Sequence, residues 1–244
     1  MADFAPTISI EDPRTALGRG GFSQPPVAVE GGDDDSRSFD TRLRRARLGM
    51  GVAIAGIVMI FVSFTSAYVV RQGLPTLDPR TNALVRDWIP VPLPRLLLIN
   101  TLVLLLSSVT MELARRQAVR AGADLAPGPS LVAPARNANQ ISWLAVTAVL
   151  GLYFLGGQWM AWRLLAASGF YVATSPSSSF VYLLTGMHGL HLLGGICALL
   201  FAGAAFLARR SAGSQLILVD VSGWYWHFMA LLWVYLLCLM EFAR

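Results

Sequence analysis

Five stretches of about 20 apolar residues, near 48–70, 94–113, 141–162, 180–208 and 221–242, constrain this chain more than any other feature. At about 1.5 Å of rise per residue, each is long enough as a helix to cross a hydrocarbon layer about 30 Å thick. Inside such a layer backbone N–H and C=O groups find no water, so a stretch of this kind satisfies them internally as a helix. The 244 residues are 55% hydrophobic and 14% charged, with a mean hydropathy of +0.57, too apolar for a soluble domain of this size. The expected fold is all-α, a polytopic bundle of five transmembrane helices.

Residues 1–43 hold few apolar side chains, the pair Pro25-Pro26 and the run Asp33-Asp34-Asp35, and are expected to be a disordered tail ahead of a membrane domain over 44–244. The tail has an acid near its start and no basic-then-apolar pattern, so it does not resemble a secretory signal; the first spanning helix is expected to act as an uncleaved anchor. Every basic side chain apart from histidine is arginine. Arg37, Arg42, Arg44, Arg45 and Arg47 precede the first helix, Arg115, Arg116, Arg120 and Arg136 fill the second connection, and Arg209 and Arg210 open the fourth. The third connection, 165–179, carries no charge. This alternation places the N-terminus in the cytoplasm and the C-terminus outside, against a mild contradiction from Arg71, Arg80 and Arg86 in the first connection, which Asp78 and Asp87 accompany. Arg45, Arg47, Arg115, Arg116, Arg209 and Arg210 are candidates for lipid headgroups, with a solvated positive face as the equal alternative. Nothing calls for nucleic acid.

Local signals place the helix ends. Pro90, Pro92 and Pro94 close the first connection, and helix two is expected to start near Pro94. The serines of "ATSPSSS", 173–179, can cap helix four. Helix four would be about 43 Å long, so it tilts or projects. Its Gly194, Ala198 and Ala202 form a small-residue ridge, suited either to packing inside the bundle or to a second subunit. Trp224, Tyr225 and Trp226 at the start of helix five, and Trp159 and Trp162 near the end of helix three, suit an interfacial aromatic belt. Cys197 and Cys238 lie within helices and behave as small apolar residues.

Every Asp and Glu is expected in the tail, in a connection or close to a helix end, Glu112 and Glu241 included. That leaves Asn100, Gln158, His188, His191 and His227 as the buried polar candidates, too few for a self-contained proton relay. His188 and His191, three apart, share one helix face and cannot sandwich a haem between them. A copper or zinc site from all three histidines is geometrically conceivable but lacks a carboxylate to orient its ligands. Structural histidines, hydrogen-bonded between helices, are favoured over metal ligands. A stand-alone transporter would call for a mid-membrane site built on internal repeats, and no convincing repeat is present.

Six stretches in order resemble one family, subunit III of the haem-copper cytochrome c oxidases. "FTSAYVVRQG" (64–73), "LPRLLLINTLVLLLSSVT" (93–110), "GGQWMAW" (156–162) and "TSPSSSFVYLLTG" (174–186) are similar to its bacterial members. "MHGLHLLGG" (187–195), with His188, Gly189 and His191, resembles the family's His-Gly-Leu-His motif; "WYWHFMALLWVYLL" (224–237), with Trp226, His227 and Trp233, resembles its Tyr-Trp-His-Phe segment. The resemblance implies a multi-pass subunit of a bacterial cytoplasmic-membrane oxidase with no catalytic residue, metal or redox centre of its own. The haems and copper belong to partner subunits I and II. The subunit would pack on subunit I, among other oxidase subunits, hold phospholipid, and support proton uptake and working lifetime. A quinol oxidase has a third subunit of the same build. Three departures matter: many members have seven helices, many have a Glu where this chain has Ile57, and the usual Asp three residues after the histidine of helix five is Ala230. The network around His227 is therefore expected to be thin.

Overall fold

A computed structural model describes residues 31–77, 83–85, 88–123, 138–208 and 212–242. It contains α1 (Gly31–Gly73), the two-residue strands β1 (Thr76–Leu77) and β2 (Leu84–Val85), α2 (Leu96–Ala123), α3 (Ala138–Ala167), α4 (Pro176–Leu207) and α5 (Ala212–Phe242). The chain divides into two units, Met1–Ser38 and Phe39–Arg244, and the second holds five helices long and apolar enough to cross a membrane. The expected five-helix, all-α fold is present. β1 and β2 form a small antiparallel hairpin, Thr76 opposite Val85. Of the expected tail, 1–30 lies outside the described residues; from Gly31 onward the chain is helical.

Each helix outruns part of the apolar stretch that announced it, because a helix satisfies its own backbone and can continue into polar surroundings once nucleated. α1 takes in the whole arginine run 42–47. α5 begins at Ala212 rather than near 221, which draws Asp220 and Trp224–Trp226 into its interior. α2 begins at Leu96, with Pro94 one turn earlier offering its carbonyl to the N–H of Leu97 at 3.0 Å. The serine cap of α4 is as expected: Ser175 is the N-cap, Pro176 follows, and Ser175 and Ser178 exchange side chain-to-backbone bonds.

Four of the helices form a ring in which α2 lies against α3 and α5, and α4 lies against α3 and α5. Among the described residues no Cα of α1 comes within 8 Å of another helix, and only 6% of its apolar stretch is buried. The packed core holds Leu104 and Met111 of α2, Phe154 of α3, Leu184 and Leu192 of α4, and Trp226, Met229, Trp233 and Leu236 of α5. Lipid tails are as apolar as leucine, so burial alone does little to join these helices; close fit and interhelical hydrogen bonds decide the pairing.

Two glycines of α3 carry that close fit. A Cβ at Gly157 would lie 2.0 Å from Asn100 Oδ1 of α2, and one at Gly151 would lie 2.7 Å from the indole of Trp226. The Asn100 amide uses the approach to donate to the Phe154 carbonyl at 3.3 Å. Gly157→Ala should therefore lower the midpoint of thermal unfolding in detergent, in line with about 1–3 kcal/mol of overpacking strain. An unchanged midpoint would show that α2 and α3 do not approach this closely.

Candidate functional site

Along the seam between α2 and α5 the helices run antiparallel, and polar pairs recur down its length. Trp233 donates its indole N–H to Thr101 at 2.9 Å, Trp226 to Ser107 at 3.0 Å, and Ser108 bonds His227 Nδ1. Each receiving hydroxyl beneath an indole donates in turn to a carbonyl of its own helix, Thr101 to Leu97 and Ser107 to Leu104. The same device joins α3 to α4, where Trp162 donates to Thr185 at 3.0 Å and Thr185 to Val181. An indole has one donor and no acceptor, so this arrangement leaves it nothing unpaired.

Trp226 is thus a fully buried helix-joining residue at mid-helix, which corrects its reading as part of an interfacial belt. Trp224 is exposed. Tyr225 is half-buried and donates its hydroxyl to the backbone carbonyl of His191 at 2.8 Å.

The histidine pair behaves differently from expectation. His188 is fully buried, its ring 5.0 Å from that of Trp233 and 5.8 Å from Phe154, and neither ring nitrogen has a hydrogen-bond partner. The rings around it offer faces and edges, and the N–H of Trp233 is already given to Thr101. His191 bonds within its own helix: Nδ1 lies 2.7 Å from the Met187 carbonyl, which only accepts, so that nitrogen carries the proton. Its ring faces Phe61 of α1 at 5.7 Å. Of the three histidines only His227 makes an interhelical hydrogen bond. Nor are they brought together. His188 sits at the level of Trp233 and His227 beside Ser108 and Glu112, about two turns of α5 apart. Gly189 sits on α4 with Leu155 3.6 Å from where its Cβ would be.

At the arginine-bearing end the seam becomes ionic. Asp220 is 3% exposed; Arg47 of α1 donates Nε–H to its Oδ2 at 2.9 Å and Arg115 of α2 donates from Nη1 to its Oδ1 at 3.3 Å. Arg115 also grips Glu112 with both ends of its fork, at 2.8 and 3.2 Å, and Arg116 adds a bond to Glu112 at 2.9 Å. Glu112 Oε2 lies 3.7 Å from His227 Nε2. One continuous chain of contacts joins α1, α2 and α5. Asp220 was missed because helix five was started one residue after it. Two signals were available: Asp220 and His227 are seven apart, on one face, and Glu112 stands three and four residues before Arg115 and Arg116, where helical side chains meet.

Arg45 pairs with no group among the described residues and, with Arg42, lines a cleft of about 400 Å³ between the start of α1 and the facing ends of α4 and α5. Arg42 donates to Ser214 across it at 3.1 Å. Arg209 and Arg210 lie outside the described residues.

The model of the family described as "Cytochrome c oxidase subunit III" matches residues 39–243. The chain belongs to that family. A "Probable cytochrome c oxidase subunit 3" of Mycobacterium leprae (strain TN) is 33% identical over 102 residues, 42% of this chain and 50% of that protein. One of Nocardia farcinica (strain IFM 10152) is 30% identical over the same shares. The "Cytochrome c oxidase subunit 3" of Branchiostoma lanceolatum is 31% identical over 195 residues, 78% of this chain and 66% of that protein. The chain therefore spans about half the length of the mycobacterial and nocardial relatives it matches. The family match takes in the indole–hydroxyl seams and the ion pairs alike.

The ionic chain makes a measurable claim on stability. In a double-mutant cycle of Arg47→Ala and Asp220→Asn, read by unfolding in mixed micelles, the coupling should be about 0.5–1.5 kcal/mol, the lower part of the range because Arg47 is half in solvent. Additive effects would mean that this bridge does not hold α1.

Proposed function

We propose that this chain is an accessory subunit of a bacterial terminal oxidase that reduces O2 with electrons from cytochrome c, lying in the cytoplasmic membrane with its N-terminus inside. It packs against subunit I beside the other oxidase subunits. Haems and copper reside in subunits I and II, and this chain adds structure: it supports proton uptake and lengthens the working life of the complex. The observation that carries this reading is the family match over residues 39–243. The interior is in keeping with a structural part, since His188 and His191 meet rings of other helices, Trp233, Phe154 and Phe61.

Purifying the complex through a tag on this chain in mild detergent should bring down a haem-bearing subunit, seen as a visible absorption spectrum and identified by mass spectrometry. Repeated purification of a colourless chain without such a subunit would overturn the assignment. Copper analysis of the accompanying subunit II distinguishes a cytochrome c oxidase from a quinol oxidase of the same build.

The cleft at the arginine-bearing end supports a lipid-holding part of that role. Arg42 and Arg45 stand over walls made by Phe201, Ala205, Ile217 and Leu218, which suits a phosphate above an acyl chain. Arg42→Ala with Arg45→Ala should strip a tightly retained phospholipid from the purified complex, counted by lipid mass spectrometry. Turnover should then fail sooner while its initial rate holds. Unchanged lipid content would make this a solvated positive face.

A further inference from the structure

A second cleft, of about 270 Å³, opens between α3 and α4 on their outer side. Its α3 wall holds Leu155, Gln158, Trp159 and Trp162; its α4 wall has Gly186 and Gly189, with Leu190 and Leu193 beside them. Trp159 is 63% exposed and Leu190 61%.

Gln158 is 3% exposed, and its Oε1 accepts no hydrogen bond. An unmade bond on a buried amide is costly in apolar surroundings. The two glycines point the same way. A Cβ at Gly186 would meet Trp162 at 3.7 Å and one at Gly189 would meet Leu155 at 3.6 Å, both ordinary contacts, so the packing of this chain does not need either residue bare. Bare backbone is what another helix needs in order to come close in a membrane. A lipid chain would fill the cleft but has no donor for the amide.

We propose that this cleft seats a transmembrane helix of a different subunit, one that lays its ridge on Gly186 and Gly189 and presents a hydroxyl, amide or indole donor to Gln158. The proposal rests on membership of a multi-subunit oxidase and adds the face by which the chain joins it. The indole rings of Trp159 and Trp162, 6.4 Å apart, close one side of the seat.

The test uses the intact complex, with the photo-crosslinker p-benzoylphenylalanine placed at Trp159 or, as a second face, at Leu102 of α2, which is also exposed. Mass spectrometry should identify an adduct with another oxidase subunit, at a yield at least about tenfold higher from position 159 than from 102. Gly189→Leu, with helix content unchanged by circular dichroism, should cut that yield by a similar factor. Adducts with lipid alone, adducts with a second copy of this chain, equal yields from the two positions, or a yield indifferent to Gly189→Leu would each overturn the proposal. If haem-bearing subunits copurify while position 159 reaches only lipid, the oxidase assignment stands and this face is lost; if none copurifies, both fall.

Discussion

An indole N–H has one hydrogen to give, and in a bundle surrounded by lipid it gives it to another helix or goes without. Three tryptophans here give theirs to hydroxyls, and each hydroxyl passes its own hydrogen to a carbonyl one turn back or less on its own helix. Interhelical hydrogen bonds in membranes contribute only about 0.6–2 kcal/mol each, so their larger effect is on register. A one-residue slip of α5 along α2 would part Trp226 from Ser107 and Trp233 from Thr101 together. The same slip would drive the Trp226 ring out of the space that Gly151 leaves for it. Hydrogen bonds and close packing thus specify one alignment.

α1 stands outside this logic. Among the described residues it has no backbone neighbour in the other helices, and side chains meet it at three levels. Arg42 and Arg47 reach Ser214 and Asp220 at one end, Phe61 meets His191 near the middle, and Tyr68 meets Trp88 and Phe180 at the other. Such long attachments leave gaps that a helix packed on glycine would close, and the cleft beneath Arg42 and Arg45 is one of them. Ile57 packs against the buried cluster, so α1 turns an apolar side chain to the bundle there.

The number and type of the spanning helices were legible because a bilayer imposes a length and a composition together, and the family identity followed from motifs in fixed order. The ends were not, since nothing in hydropathy tells a helix to stop where charge begins. One such end accounts for two misreadings. Starting the fifth helix at 221 excluded Asp220, the most buried acid described, and put Trp226 at an interface when it lies in the core. The pairing of Trp226 with Ser107, or of Asp220 with Arg47, joins residues more than a hundred positions apart, which spacing along one chain cannot disclose. The histidine motif was legible as a family mark and silent about partners.

His188 shows how a polar residue can be placed without polar partners. Its ring lies tilted against Trp233 and edge to Phe154, so its contacts are with aromatic rings. Leucine would fill much of that volume but would lack a ring to set against the indole. The same indole donates its N–H to Thr101, so the His188 ring lies beside a bonded tryptophan without making a hydrogen bond of its own. His227 does the opposite. Ala230, one turn further along α5, has no polar atom to offer, and the imidazole takes its partner from Ser108 and its charged neighbour from Glu112, both on α2. The contacts around His227 therefore run across the helix seam to Glu112, whose partner Arg115 shares Asp220 with Arg47 of α1.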